Sequence, residues 1–242
     1  MPKARYMEIY KDLKEKIEEG EYAFQELLPS ENTLVQEYDC SRNTVRRAMG
    51  ELVNDGYVQT MQGKGVRNIY QPTMQATFVI GGIESFKESA IRNKKEPRSE
   101  VIHFVELVVD EKIAQRTGFM VGDEIYYLQR LHYLDGKPLI LNHNYFLKSV
   151  AKDLTKEIAE KSIYDYLENI LGVTIVTCKR IMTVEKMTQI DEKYLELGDY
   201  NCLAVVSSQT YNSDGIMFEY TQSRHRPDHF RFQDNAVRRN VQ

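Results

Sequence analysis

The chain has 242 residues and a formal net charge of −4, which argues against a general nucleic-acid binder. Its length exceeds the roughly 70 residues of a single small domain, so two domains are expected. Three scattered cysteines favour neither a disulfide framework nor a metal site. Because neither a signal peptide nor an apolar run of about 18 residues is evident, we expect a cytoplasmic protein with no membrane partner.

An amphipathic helix is predicted near the start of the chain, over residues 7–19. Ile9, Leu13 and Ile17 recur every four residues, and Gly20 follows as a terminator. We expect this helix to brace the elements that follow it.

Two further helices and a short connection come next. Ser30 and Ser41 are N-cap candidates for helices that begin at residues 31 and 42, and the second helix extends to residue 54. The connection at residues 38–40 is a tight turn. This order predicts a helix-turn-helix, whose second helix presents Arg42 to bases in a DNA major groove. One apolar stripe buries that second helix: Val45, Ala48, Met49 and Leu52.

A β-hairpin completes the predicted DNA-binding domain. Strands at 57–61 and 66–70 flank a tip in which Gly63 and Gly65 permit a tight turn and Lys64 can meet phosphate or a minor groove. Between residues 41 and 67 five basic residues outnumber two acidic ones, so this segment is positive although the whole chain is acidic. From these residues alone, the alternative is an ordinary helical domain with solvated arginines.

These motifs resemble the winged helix of the GntR superfamily of bacterial repressors. The resemblance is carried by Leu28-Pro29-Ser30-Glu31, by Ser41-Arg42-x-Thr44-Val45-Arg46-x-Ala48, and by Gly63-Lys64-Gly65 in the wing. Asn32 stands where many members carry a DNA-contacting arginine, and it can bond a phosphate or an adenine. The resemblance implies that six residues contact operator DNA: Ser41, Arg42, Thr44, Arg46, Lys64 and Gly65. Asn32, which replaces the family's arginine, is the seventh candidate.

The second part of the chain is predicted to be an α+β domain built on an antiparallel sheet. Pro72 and small polar neighbours place a linker at 71–77, between domains at 1–70 and 78–242. Asp135-Gly136 and Asp214-Gly215 are hairpin turn signals. Runs rich in Val, Ile, Tyr and Phe predict strands at 100–109, 124–133, 138–147, 173–185, 203–211 and 216–226. Capping signals predict helices at 110–117, 162–171 and 188–195.

This arrangement resembles the UTRA effector-binding domain, which shares its fold with chorismate lyase and marks the HutC subfamily of GntR regulators. The resemblance is carried by Ser85-Phe86-Lys87-Glu88 in the first loop, by Arg130-x-His132, and by the run at 218–232. Within that subfamily, this run and residues 154–158 are most similar to the trehalose-operon repressors, which respond to trehalose 6-phosphate. The resemblance implies a repressor of trehalose uptake and use with a sugar-phosphate effector and no cofactor.

The residues themselves also favour a phosphorylated sugar. Arg130 and His132 share one face of a strand, and Glu219 and Ser223 share a face of another, as suits a sugar pocket. Ser162 at a helix start can donate to a phosphate. His132 as a direct contact predicts phosphate affinity that depends on pH near neutrality. The candidate effector-binding residues are Ser85, Phe86, Arg130, His132, Tyr145, Ser162, Tyr164, Glu219, Tyr220, Ser223 and Arg224.

Other interpretations of these residues stay open. Arg130 and Arg224 could serve a dimer interface, Glu219 could pair with an arginine, and tyrosines at strand spacing are usually core. No nucleotide loop, paired-cysteine metal motif or nucleophile-base signature occurs in the sequence. His225 and His229 are spaced by four but do not suit a helical metal pair. We therefore expect neither catalysis nor a metal.

The predicted mechanism is that of a homodimer on a pseudo-palindromic double-stranded operator, from which an effector releases it. The domain at 78–242 is expected both to bind the effector and to form the dimer. A regulator of the same type that responds to a different sugar phosphate or small metabolite is the alternative. The two share every feature except the chemistry of the pocket.

Overall fold

The computed structural model of the chain describes residues 3–72, 78–79 and 82–233. The described chain divides into two compact units, one formed by residues 3–72 with residues 79 and 233, and the other by residue 78 with residues 82–232. Of the predicted linker at 71–77, residues 73–77 lie outside the described residues. No helix in the described part of the chain is long and apolar enough to cross a membrane.

The first unit is the predicted winged helix-turn-helix. Its elements are α1 (Lys3–Glu18), α2 (Glu31–Glu37), α3 (Arg42–Asn54), β1 (Val58–Met61) and β2 (Gly65–Asn68). The two strands form an antiparallel hairpin, the wing. The helices pack through one apolar core, because the stripe of each helix recurs at helical spacing. That core includes Ile9, Leu13, Ile17, Leu34, Val45, Ala48 and Leu52.

The second unit is built on a six-stranded antiparallel sheet. Beyond a two-residue pairing of β3 (Phe78–Val79) with β10 (Phe232–Gln233), the sheet order is β4-β5-β6-β9-β8-β7. The predicted antiparallel α+β fold is confirmed. The six strands are β4 (Pro97–Val108), β5 (Glu124–Leu134), β6 (Lys137–Leu147), β7 (Ile175–Lys186), β8 (Cys202–Asn212) and β9 (Met217–His225).

Short helices accompany the sheet. Three were expected from capping signals, whereas α4 and α6 were not, although Ser85 and Thr155 cap them in the same way. The segment at Ser85 is therefore not a loop, because Ser85 caps α4. The helices are α4 (Phe86–Arg92), α5 (Glu111–Thr117), α6 (Lys156–Lys161), α7 (Ile163–Asp165) with a π-helical turn (Tyr166–Ile170), α8 (Gln189–Tyr194) and a 3₁₀ turn (Pro227–His229).

The two faces of the sheet differ in chemistry. Strand register places Arg130, Asn142 and Ser223 side by side on one face, which we call the polar face. It places Tyr145 beside Tyr220 on the other, which we call the tyrosine face. Part of the polar face is covered by an apolar cluster that joins strands β4–β6 to α6, α7 and the π-helical turn. A site on the polar face is therefore shielded from bulk water on one side.

Candidate DNA-reading surface and effector site

The N-terminal end of α3 is a fixed, exposed platform. Ser41 Oγ accepts the Thr44 backbone N–H at 3.2 Å. It also lies 2.8 Å from Thr44 Oγ1, so the two hydroxyls are hydrogen-bonded to each other. Arg42, the next residue, is exposed, and no hydrogen bond or ion pair holds its guanidinium within the described chain. Because the helix turn beneath it is capped, this cation projects from a rigid base.

Arg46 is one turn further along α3 and is already paired. Its Nε donates to Glu31 Oε2 of α2 at 2.7 Å, and 64% of the arginine side chain is exposed. The carboxylate raises the pKa of Arg46. This pair ties the two helices together while leaving Arg46 at the surface beside Asn32, which is also exposed.

The wing carries its cation at the tip. Gly63 and Gly65 have φ of +72° and +104°, values that favour glycine, and Lys64 between them is exposed. The base of the wing is held by Asn68, whose Nδ2 donates to Tyr22 O at 2.8 Å. The seven predicted DNA-contacting residues thus lie on α2, α3 and the wing tip, and all except half-buried Thr44 are exposed. Their contact with DNA stays a prediction.

A chain of hydrogen bonds crosses the polar face of the sheet. Arg130 Nε donates to Asn144 Oδ1 at 2.8 Å, and Asn144 Nδ2 donates to Thr221 Oγ1 at 2.6 Å. Thr221 donates to Glu219 Oε1 at 2.8 Å, and Tyr164 on α7 donates to Glu219 Oε2 at 2.7 Å. The chain links three strands to the helix that covers them.

Arg130 is a cation without a carboxylate in direct contact. Among the described residues, its acceptors are the amide of Asn144 and the carbonyl of Ala159 at 3.4 Å, both uncharged. Burial lowers the pKa of Arg130 to about 10, although Glu219 and Tyr164 oppose the shift. The guanidinium is still charged at neutral pH, so this part of the polar face suits an anion.

His132 lies on the same face but is neutral. Its Nδ1 is 2.7 Å from Ser99 Oγ, its Nε2 is 3.0 Å from Asn142 Nδ2, and its ring contacts Phe86 at a centroid distance of 4.4 Å. Burial, with Arg130 and His225 nearby, holds the pKa of His132 well below its usual range. This shift runs against a His132 that titrates near neutrality, and the pH dependence of phosphate affinity stays a prediction.

Three predicted effector residues lie on the opposite face of the sheet. Tyr145 packs against Tyr127 and Tyr220, with ring centroids 4.7 and 5.9 Å apart. Arg224 Nε donates to Asp191 at 2.9 Å and its Nη1 to Glu185 at 2.7 Å. Placing Tyr145, Tyr220 and Arg224 in one pocket with Arg130 was wrong, because side chains alternate along a strand.

The remaining candidates lie near the polar face. Ser85 caps α4 together with Glu88, and Ser162 accepts the Asp165 backbone N–H at the start of α7. Ser223 is half-buried beside Asn142 on the neighbouring strand.

Sequence reasoning missed Asn142 and Asn144 altogether. Their signal was two asparagines spaced two residues apart in a strand that is otherwise mostly apolar. Asn142 Oδ1 is buried and, in the described residues, has no hydrogen-bond partner. It is thus an acceptor available to a ligand hydroxyl.

Comparison with known proteins gives the same two-part organisation. Residues 5–67 match the bacterial regulatory proteins of the gntR family, and residues 92–231 match the UTRA domain. The HTH-type transcriptional regulator TreR of Bacillus subtilis is 38% identical over 97% of this chain and 98% of its own length.

Two solved structures resemble the fold. The possible transcriptional regulator YydK of Bacillus subtilis superposes with a TM-score of 0.80 at 22% identity, over 98% of this chain and 99% of that one. The effector-binding domain of the B. subtilis trehalose repressor has a TM-score of 0.53 at 35% identity, over 60% of this chain and 99% of that one. This chain therefore belongs to the gntR family of bacterial regulatory proteins, as a transcriptional regulator of the HutC type with a C-terminal UTRA domain.

Proposed function

We propose that this regulator is a homodimeric repressor of a trehalose uptake and utilisation operon, released from its operator by trehalose 6-phosphate. It acts by binding, not by catalysis, and uses no cofactor. The observation that carries the effector assignment is Arg130, a half-buried cation whose described acceptors are uncharged. The similarity to B. subtilis TreR supports the choice of sugar.

On the DNA side, each protomer places α3 in a major groove. Arg42 reads a guanine, and Ser41, Thr44 and Lys64 contact phosphates. One good bidentate arginine contact discriminates between bases by about 1 to 3 kcal/mol. Two protomers read half-sites about one helical turn apart, which gives the operator its pseudo-palindrome.

On the effector side, the phosphate pairs with Arg130 and the sugar hydroxyls meet polar groups such as Asn142, Glu219 and Ser223. The bound effector favours an arrangement of the chain with lower operator affinity. Since the coupling is reciprocal, operator DNA must weaken effector binding by the same factor, typically 5- to 150-fold.

The test is a fluorescence-anisotropy titration on an operator selected from random duplexes. Trehalose 6-phosphate is expected to lower operator affinity, whereas trehalose or inorganic phosphate alone at the same concentration is not, because only the whole ligand reaches both Arg130 and the sugar-binding groups. Arg130→Gln should keep operator binding and lose the response. Arg116→Gln, at an exposed arginine on α5 of the same unit, is the matched control and should respond as wild type.

An operator complex that trehalose 6-phosphate leaves intact would overturn the effector assignment. If a different sugar phosphate releases the DNA, the pocket belongs to the alternative regulator of the same family. Thermal unfolding with each compound provides a second reading, because a ligand at about 100 times its dissociation constant stabilises the protein by about 2.7 kcal/mol.

A further inference from the structure

Strand β7 is an edge of the six-stranded sheet and exposes apolar side chains on both of its faces. Ile181 is 68% exposed on the tyrosine face, while Met182 and Val184 are 41% and 76% exposed on the polar face. Val176 near the strand start is 56% exposed. The strand is twelve residues long and pairs only with β8 within the described sheet. A long apolar edge with unpaired backbone groups is a template for another strand.

The opposite edge of the same sheet is built differently. Strand β4 is also twelve residues long, but its well-exposed positions include Arg98, His103 and Glu106, and α6 packs against it. Its large exposed apolar residue is Val108, at the very end of the strand. Charged side chains and a covering helix are the usual protection of an edge strand. In β7, Lys179 and Arg180 lie at the centre, but the four residues that follow them, 181–184, are uncharged.

The sequence of β7 is complementary to itself in one antiparallel register. A two-fold axis through Met182 sets Lys179 of each strand opposite Glu185 of the other, and it sets Ile181 opposite Thr183. An axis through Arg180 would place the two copies of Arg180 opposite each other. An axis through Thr183 would place Arg180 of one strand opposite Lys186 of the other. Like charges directly opposite each other destabilise a sheet, whereas opposite charges stabilise it.

We propose that the outer edge of β7 pairs with β7 of a second copy of this chain, and that this pairing is the dimer interface. The two-fold axis passes through Met182, and the two sheets continue into each other. Cross-strand neighbours from the second copy then lie beside Ile181 on one face and beside Met182 and Val184 on the other. This inference rests on the homodimer in the proposed function, and it specifies which surface makes it.

Sedimentation velocity of the full chain over a concentration series tests this interface. Wild type should sediment as a dimer of the 28.3 kDa chain. The double variant Ile181→Lys/Val184→Lys should sediment as a monomer, with circular dichroism unchanged because both side chains are exposed. Val108→Lys, an equally exposed apolar residue on β4, is the matched control and should stay dimeric.

A charge variant tests the register. Lys179→Glu opposes two carboxylates at each end of the interface and should raise the dimer dissociation constant about tenfold. Lys112→Glu, at an exposed lysine on α5, should leave the constant unchanged. A Lys179→Glu variant that dimerises as tightly as wild type would overturn this register.

Two results would overturn the interface. The first is a dimer that survives the double substitution or that dissociates equally with Val108→Lys. The second is a monomeric wild type, in which case hydrogen exchange at β7 tells whether another part of the chain covers the edge. A wild-type dimer that fails to bind operator or effector would defeat the proposed function alone and leave this interface standing.

Discussion

The two units of the molecule use arginine in opposite ways. In the winged helix, Arg42 and Arg46 lie at the surface, where water and salt screen their charge. A polyanion that comes within the screening length is attracted to them. In the sheet unit, Arg130 and Arg224 are withdrawn from solvent and fixed by hydrogen bonds. Exposed cations suit an extended phosphate backbone, and withdrawn ones suit a small ligand that must shed its water.

A second difference separates the two withdrawn arginines. Arg224 contacts the carboxylates of Asp191 and Glu185, so its charge is compensated within the protein. Arg130 contacts an amide and a carbonyl. The charge of Arg224 is thus balanced by direct contact with carboxylates, whereas Arg130 has no carboxylate in hydrogen-bond contact.

The largest effect is expected from a substitution that breaks the ion pairs of Arg224. Arg224→Leu leaves Asp191, which has no exposed surface, without its cation, and should lower the free energy of unfolding by about 3 to 5 kcal/mol. Arg130→Leu leaves the buried oxygen of Asn144 without its donor but strands no carboxylate in direct contact, and should cost about 1 to 3 kcal/mol. Urea unfolding of the two variants measures both values. Equal losses would contradict the distinction between the two arginines.

The next largest effect is that of low pH, which should destabilise the sheet unit more than the winged helix. All five histidines of the chain lie in the sheet unit, and burial lowers the pKa of His225 to about 3 and that of His132 well below its usual value. Both stay neutral in the folded state, so stability is full above about pH 6.5 and falls below it as the unfolded chain takes up protons. At pH 5 the neutral state of His225 costs about 2 kcal/mol, and His132 adds to the loss in the same direction. Urea unfolding followed by hydrogen exchange should show this loss of stability in the sheet but not in the wing. In His225→Gln, the part of the acid-induced loss that comes from His225 should be absent.

The smallest effects sharpen the comparison on the DNA side. Arg42→Ala should weaken operator binding by about 1 to 3 kcal/mol and erase the preference for one base, with stability unchanged because the side chain is exposed. Lys64→Ala should weaken all duplexes alike and reduce the slope of log affinity against log salt by about one. Anisotropy titrations at several salt concentrations distinguish the two. A salt slope that Arg42→Ala and Lys64→Ala change equally would show that Arg42 does not read bases.

Local signals explain what could be predicted from the sequence. The caps Ser30 and Ser41, the apolar stripes and the wing glycines each act within a few residues, so the first unit and the exposed position of Arg42 follow from them. In the sheet, alternation along β9 already separates Glu219 from Tyr220 and Arg224. The position of Tyr145, and the contact of Arg130 with Asn144, depend on register between strands, which no local pattern reveals.

The hydrogen bonds across the polar face run in one direction. A guanidinium can only donate, so Asn144 must offer its oxygen to Arg130 and its amino group to Thr221, whose proton then goes to Glu219. The orientation of every group is set by the arginine at one end and the carboxylate at the other. An aspartate in place of Asn144 would have nearly the same shape yet no proton to pass on, and two acidic groups would then compete for one threonine hydroxyl.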